Sequence, residues 1–143
     1  MLSGYRFSHP VEVRFSDLDG LAHVNNVVYL TYMESARLAW WAEVTGRADL
    51  EGLDMILART EIDYRAAAGF GARLVVGVRC ASIGRTSFVL EFAVEDARNG
   101  RLYAEARKVL VRYDYAAGRS KPIDDELRER ILKQDPDARI RPS

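Results

Sequence analysis

The sequence predicts an α+β domain in which an antiparallel sheet of about five strands wraps one long helix. Apolar side chains alternate with a period of two at the chain start, and four strand-like runs follow later, the alternation being cleanest over Thr86–Asp96. Between them, over 27–45, apolar residues recur at steps of three and four instead, the period of a helix. Turn residues punctuate the later runs, Asn99-Gly100 being the strongest hairpin signal.

In chain order, Phe7, Val11, Val13 and Phe15 share one parity while Arg6, Ser8, Glu12 and Arg14 take the other. That is a first strand with one buried face. The loop Asp17–Asn26 follows, rich in cap and turn residues. Leu30, Met33, Ala36, Trp40 and Val44 then form one helical stripe, which Tyr29, Tyr32, Leu38 and Trp41 widen, so the helix is expected to be covered on most sides. Asn25 or Asn26 can cap its start, and Gly46 stands where a left-handed C-terminal cap belongs. Strands are predicted at Met55–Arg65, Arg73–Ile83, Thr86–Asp96 and Arg101–Tyr115. In the last of these the apolar parity shifts near Arg107-Lys108, which predicts a bulge there. Asn99-Gly100 predicts a type I′ turn. A short helix is predicted from Asp124-Asp125-Glu126 to Lys133, with a loose tail over 136–143.

Composition limits the function. A chain of 143 residues, 48% hydrophobic, is the size of one domain and can bury a core without a disulfide or metal staple. With 21 basic and 21 acidic residues there is no basic excess, which argues against a non-specific nucleic-acid binder. No run approaches the ~18 apolar residues of a membrane span. The start Met1–Arg6 lacks the basic-then-apolar pattern of a signal peptide. Cys80 is the one cysteine, so no disulfide forms within the chain and a reducing, cytoplasmic setting is expected; mid-strand, it reads as a small buried thiol.

The chemistry concentrates before the long helix. Asp17, Asp19, His23, Asn25 and Asn26 fall within ten residues, against a helix start whose unpaired N–H groups favour an anion. A carboxylate beside such donors supplies a base or nucleophile together with an oxyanion site, the ingredients of acyl transfer. A plain helix-entry loop uses the same residue types.

The stretch Arg14–Tyr29, which reads Asp-x-Asp-x-x-x-His-Val-Asn-Asn-x-x-Tyr from Asp17 onward, resembles the signature of hotdog-fold acyl-CoA thioesterases of the 4-hydroxybenzoyl-CoA thioesterase superfamily, with its long-chain acyl-CoA and acyl-carrier-protein branches. The resemblance extends to Ile62–Arg65, Ala81–Ser87 and Gly118–Leu127, and covers about Val11 to Leu132. It implies the hotdog fold over 1–143, a sheet around one long helix, in agreement with the periodicity. It also implies that Asp19 is the catalytic carboxylate, acting as nucleophile or general base, with the Asn26 N–H polarising the thioester carbonyl and Asp17 organising the loop. His23 matches a catalytic histidine of the plant acyl-carrier-protein branch, whose catalytic Asn falls here on Leu21, so an Asp-led site is the expectation. Asn25, Tyr29, Arg85 and Thr86 are the expected substrate contacts, the last two at coenzyme A phosphates, which suit the planar donor fork of arginine.

The implied protein is a cytoplasmic homodimer or homotetramer that hydrolyses acyl-CoA or acyl-carrier-protein thioesters. It needs no metal and no cofactor, coenzyme A being part of the substrate. Two rivals share the fold: an acyl-thioester dehydratase or hydratase, for which the second histidine, His9 beside Pro10, is poorly placed, and a catalytically silent acyl-CoA binder.

Overall fold

A computed structural model describes residues 2–47 and 53–142. Strand β1 (Phe7–Glu12) leads through a one-turn 3-10 helix (Phe15–Asp17) into helix α1 (Asn26–Thr45). Strands β2 (Met55–Tyr64), β3 (Arg73–Ile83), β4 (Ser87–Asp96) and β5 (Leu102–Asp114) follow. The short β6 (Arg119–Ser120), helix α2 (Asp125–Gln134) and the short β7 (Arg139–Ile140) complete the order. The main sheet is antiparallel in the order β1-β3-β4-β5-β2, with α1 laid on one face, closest to β1, β3 and β4. This is the α+β architecture the periodicities predict.

The Asn25 side chain caps α1 by accepting from the Val27 N–H at 3.0 Å, and Gly46 ends it at φ 72°, where a side chain would be strained. Met33, Ala36 and Trp40 are fully buried against Val76, Val78, Phe88, Leu90 and Phe92. Trp41 is buried as well, so both tryptophans belong to the core. Cys80 is buried, which pushes its thiol up to about 12, and it behaves as a small hydrophobe. On the opposite face of the sheet, residues 2–6 fold back so that the Tyr5 ring rests on Gly77, where a Cβ would lie 2.8 Å from it. Among the described residues no helix is long and apolar enough to cross a membrane.

Four expectations are corrected. First, β1 ends at Glu12 and Phe15 is 80% exposed, because the Asp17 carboxylate accepts from the Arg14 N–H and turns the chain. Second, the predicted bulge in β5 is absent at Arg107-Lys108, where pairing with β4 runs unbroken from Val94↔Ala104 to Ser87↔Val111. Ala104, Ala106, Lys108 and Leu110 all share the buried face, so the alternation is continuous once Lys108 counts as an inside residue. The β2–β5 irregularity lies on β2, between Leu57 and Arg59. Third, Asn99 keeps a negative φ and only Gly100, at 75°, is left-handed. Instead of a two-residue turn, the Asp96 carboxylate gathers the Arg98 and Asn99 N–H groups in a longer loop. Fourth, the tail is not loose over its described part: β7 pairs in parallel with Ser82 and Ile83, beyond the reach of β1 along the edge of β3. Asp135, just after α2, accepts from the Trp40 Nε1–H and the Cys80 N–H. Ser143 lies outside the described residues.

Candidate active site

The loop between the 3-10 turn and α1 is held from both ends. Asp17 is 1% exposed and fully engaged. Its Oδ2 accepts from the Arg14 N–H (2.9 Å) and the Tyr32 hydroxyl (2.7 Å), and its Oδ1 from the Arg14 guanidinium (3.0 and 3.2 Å). Burial alone would raise this carboxyl's pKa, but the Arg14 N–H, the Tyr32 hydroxyl and the guanidinium together outweigh it and hold the group below its usual range. The Tyr32 hydroxyl is correspondingly pushed up by burial and by the carboxylate it serves. The Asp17 backbone carbonyl then accepts from the Asn25 N–H at 2.9 Å, which fixes where α1 begins.

Asp19 is organised differently. Its Oδ1 accepts from the Leu21 N–H (2.9 Å) and the His23 N–H (3.2 Å), closing a tight turn in which Ala22 takes φ 60°. The Asp19 N–H donates to the His23 carbonyl at 2.8 Å, and Leu18 and Val24 bridge behind it. The carboxylate is exposed, and its second oxygen, Oδ2, has no hydrogen bond among the described residues. One oxygen therefore locks the loop while the other stays open to chemistry. The first-turn N–H of Asn26 has no acceptor among the described residues, as expected of a helix start left open for an anion. The Asn26 carbonyl accepts from the Tyr64 hydroxyl at the end of β2. The His23 imidazole is exposed and makes no hydrogen bond among the described residues.

The segment 66–72 backs this loop. Val24 donates to the Ala68 carbonyl, His23 bridges to Gly69, and the Ala68 N–H donates to the Tyr29 hydroxyl at 3.1 Å. Tyr29, expected at the substrate, is buried with its hydroxyl already occupied, and it packs edge-on against Tyr32 and Tyr64. It supports the loop from beneath. Asn25 spends its side-chain oxygen on the cap. Around Asp19 the rim is apolar and open: Leu21 is 77% exposed, and Phe15 and Phe70 meet edge to face at 6.2 Å.

Arg85 and Thr86 are not brought to this loop. They form the β3–β4 turn, where the Arg85 carbonyl accepts from Ile123 and the Thr86 carbonyl from Arg112, whereas Asp19 lies at the end where Glu12 faces Arg73. The 11 residues of β3 separate the two ends, about 30 Å at ~3.3 Å per residue. Among the described residues no group of three or more His, Cys, Asp or Glu side chains is placed to hold a metal ion. Sequence reasoning missed Tyr32, Tyr64 and the 66–72 segment. Tyr32 carried only the signal of added helical apolar width and Tyr64 only its place in the Ile62–Arg65 stretch, and nothing local marks Ala68 as the anchor of a loop more than forty positions before it.

A family model of the thioesterase-like superfamily matches residues 13–131. This chain belongs to that superfamily. Among solved structures, a thioesterase from Thermus thermophilus, solved with coenzyme A and Zn, is 37% identical, with TM-score 0.85 over 94% of this chain and 98% of its own. A 1,4-dihydroxy-2-naphthoyl-CoA thioesterase from Synechocystis shares the fold at 20% identity, TM-score 0.80, over 90% of this chain and 97% of its own. The protein YsmA of Bacillus subtilis strain 168 is 24% identical over 130 residues, 91% of this chain and 88% of its own length. The hotdog fold and thioesterase kinship implied by the Asp17–Tyr29 stretch thus stand on independent comparisons; the sub-branch and the roles of individual residues do not follow from them.

Proposed function

We propose that this superfamily member hydrolyses acyl-CoA to a free acid and coenzyme A, with Asp19 as general base or nucleophile and the Asn26 N–H as oxyanion donor. The observation that carries the reading is the divided carboxylate of Asp19, one oxygen bonded to its own loop and one free beside an open helix start. As a base, Oδ2 takes a proton from water while the hydroxide bonds to the thioester carbon; as nucleophile, Oδ2 bonds to that carbon itself and water later cleaves the anhydride. Either way the carbonyl oxygen gains negative charge, which the Asn26 N–H and the positive end of α1 stabilise. The C–S bond then breaks and coenzyme A leaves as a thiol. In this reading His23, whose imidazole is exposed, relays a proton to the sulfur, while Asn25 and Tyr29 hold the helix start and its support. No metal or cofactor is called for, because a thioester is already activated. Release of free thiol from a panel of acyl-CoAs of differing length and aromaticity tests this. Saturable binding with no thiol release from any of them would identify a silent binder instead.

Coenzyme A recognition by Arg85 and Thr86 requires a second copy. The sheet ends on β2, a ten-residue strand whose outer edge pairs with no strand among the described residues and which exposes Ile56 and Leu57. Two copies joined antiparallel along β2 exchange ends, so the partner's Gly84–Thr86 turn arrives at the end that holds Asp19. Light scattering at micromolar concentration should give two or four times the 16.2 kDa chain mass; a monomer mass refutes the arrangement. Arg85 is exposed, with no side-chain bond among the described residues, so Arg85→Ala should raise KM several-fold and leave kcat within about twofold. The KM increase should shrink as salt is added. A kcat loss without a change in KM would place Arg85 at the reacting atoms instead.

A further inference from the structure

The turn between β3 and β4 is held from behind by the end of the chain. Every carbonyl from Ile83 to Ser87 accepts a hydrogen bond. That of Ile83 accepts from the Arg141 N–H (2.8 Å), that of Gly84 from the Arg128 guanidinium (3.1 Å) and that of Arg85 from the Ile123 N–H (2.8 Å). The Thr86 carbonyl accepts from the Arg112 N–H (2.8 Å), and the Ser87 carbonyl from the Gly84 N–H (2.7 Å) and the Arg141 guanidinium (2.9 Å). The same Arg141 nitrogen also donates to the Ser87 hydroxyl at 3.0 Å. Apart from the Gly84 and Arg112 N–H groups, all these donors come from 123–141, the segment that contains α2 and β7.

The turn needs such support. Arg85 and Thr86 connect the two strands with negative φ at both positions, so this is not one of the primed turns whose twist matches that of the flanking strands. Bonds from charged guanidiniums to backbone carbonyls are among the stronger ones available to hold it. The support also decides what the turn presents. The Arg85 and Thr86 N–H groups, the Thr86 hydroxyl and the Arg85 guanidinium have no partner among the described residues. With its carbonyls taken and its N–H groups open, the turn shows positive partial charge outward, which suits an anion.

We propose that Arg128 and Arg141 are positioning residues for coenzyme A. They fix the Gly84–Ser87 turn by its carbonyls, so that Arg85 and the open N–H groups meet the phosphates in one geometry. The inference rests on the placing of coenzyme A at Arg85 and Thr86 above, and adds that the α2–β7 segment sets the affinity of that turn. Neither arginine touches the ligand. A loop already ordered in its binding form has no ordering penalty left at the binding step, and the difference appears as affinity.

The test titrates coenzyme A into the protein by calorimetry and follows thiol release from one acyl-CoA. Arg128→Met and Arg141→Met, which keep an apolar stem, should each raise the Kd and the KM about three- to tenfold with kcat within about twofold. Arg128→Lys, which keeps one charged donor, should fall between wild type and Arg128→Met. Arg130→Ala, on the same helix but bonded to Glu126 and the Thr45 carbonyl, should leave Kd and KM unchanged. A merely structural role for Arg128 and Arg141 would lower the thermal midpoint at constant Kd and KM, and would overturn the proposal. Combining Arg128→Met with Arg85→Ala separates positioning from contact. Positioning gives a combined loss well below the product of the single losses, whereas the full product would put Arg128 on the phosphates and overturn the proposal. Should Arg141→Met not fold, the Arg128 series decides. If no acyl-CoA is hydrolysed, the hydrolase reading fails while the Kd series still judges both arginines. If Arg85→Ala leaves the Kd unchanged, coenzyme A does not bind at this turn and the proposal falls with that placement.

Discussion

Asp19→Asn is expected to lower kcat for the best acyl-CoA by about 10²-fold or more, the usual cost of losing a general base or nucleophile. The substitution isolates chemistry from structure because the two oxygens of this carboxylate have different work. Asparagine keeps an oxygen at Oδ1, so the Leu21 and His23 N–H groups retain their acceptor and the turn at Ala22 persists. The new amide falls at Oδ2, which bonds nothing among the described residues, on an exposed side chain. Stability should therefore change by no more than about 0.5 kcal/mol, or about 2 °C in the thermal midpoint. KM should stay within a few-fold, since the coenzyme A contacts are remote. Thiol release and a melting curve on one purified sample check both halves. Near-normal turnover in a folded Asp19→Asn protein would remove Asp19 from the mechanism.

The contrast between the two aspartates also shows how much was legible in the sequence. The element order, the bounds of β3, the cap at Asn25 and the stop at Gly46 follow from period, cap and glycine signals that act locally. The loop itself was legible as a site because its residue types and spacing match a long motif. The partners that make Asp17 structural and leave Asp19 half free were not, because they arrive from elsewhere in the chain. Tyr32 lies 15 positions on, and Ala68 reaches the loop through Tyr29 and Val24. The separation of Arg85 from Asp19 was equally hidden, since it depends on which sheet end each turn occupies. The burial of Lys108 is illegible for a related reason. Lysine is so rarely buried that an alternation passing through it looks broken, and a bulge is the commoner explanation than a buried charge.

Asp17→Asn should act in the opposite sense to Asp19→Asn, on stability and not on turnover. Four hydrogen bonds converge on the Asp17 carboxylate, and every one is donated to it. Asparagine offers one acceptor oxygen and one NH₂ group, so at least one N–H donor, that of the Arg14 backbone or of its exposed guanidinium, meets another donor. Bonds to a charged acceptor contribute about 1.5–3 kcal/mol each in favourable cases, and a loss of about 2–3 kcal/mol is expected for the set. For a chain of this length that is roughly 5–10 °C in thermal midpoint. The effect carries a pH signature. The folded-state pKa of Asp17 lies below its unfolded value of about 3.9, so its contribution is present above about pH 4 and is lost as pH falls through the folded value. Asparagine does not titrate in this range. The gap in midpoint between wild type and Asp17→Asn should therefore be widest near neutral pH and close as the wild type is acidified below about pH 4. Below its melting point the variant should keep kcat within several-fold, since the Asp17 backbone carbonyl still receives the Asn25 N–H and α1 still starts at Asn26. Calorimetry across that pH range, with thiol release at a temperature where both proteins are folded, separates the outcomes. An unchanged midpoint with abolished turnover would mean that Asp17, and not Asp19, is the carboxylate at the thioester.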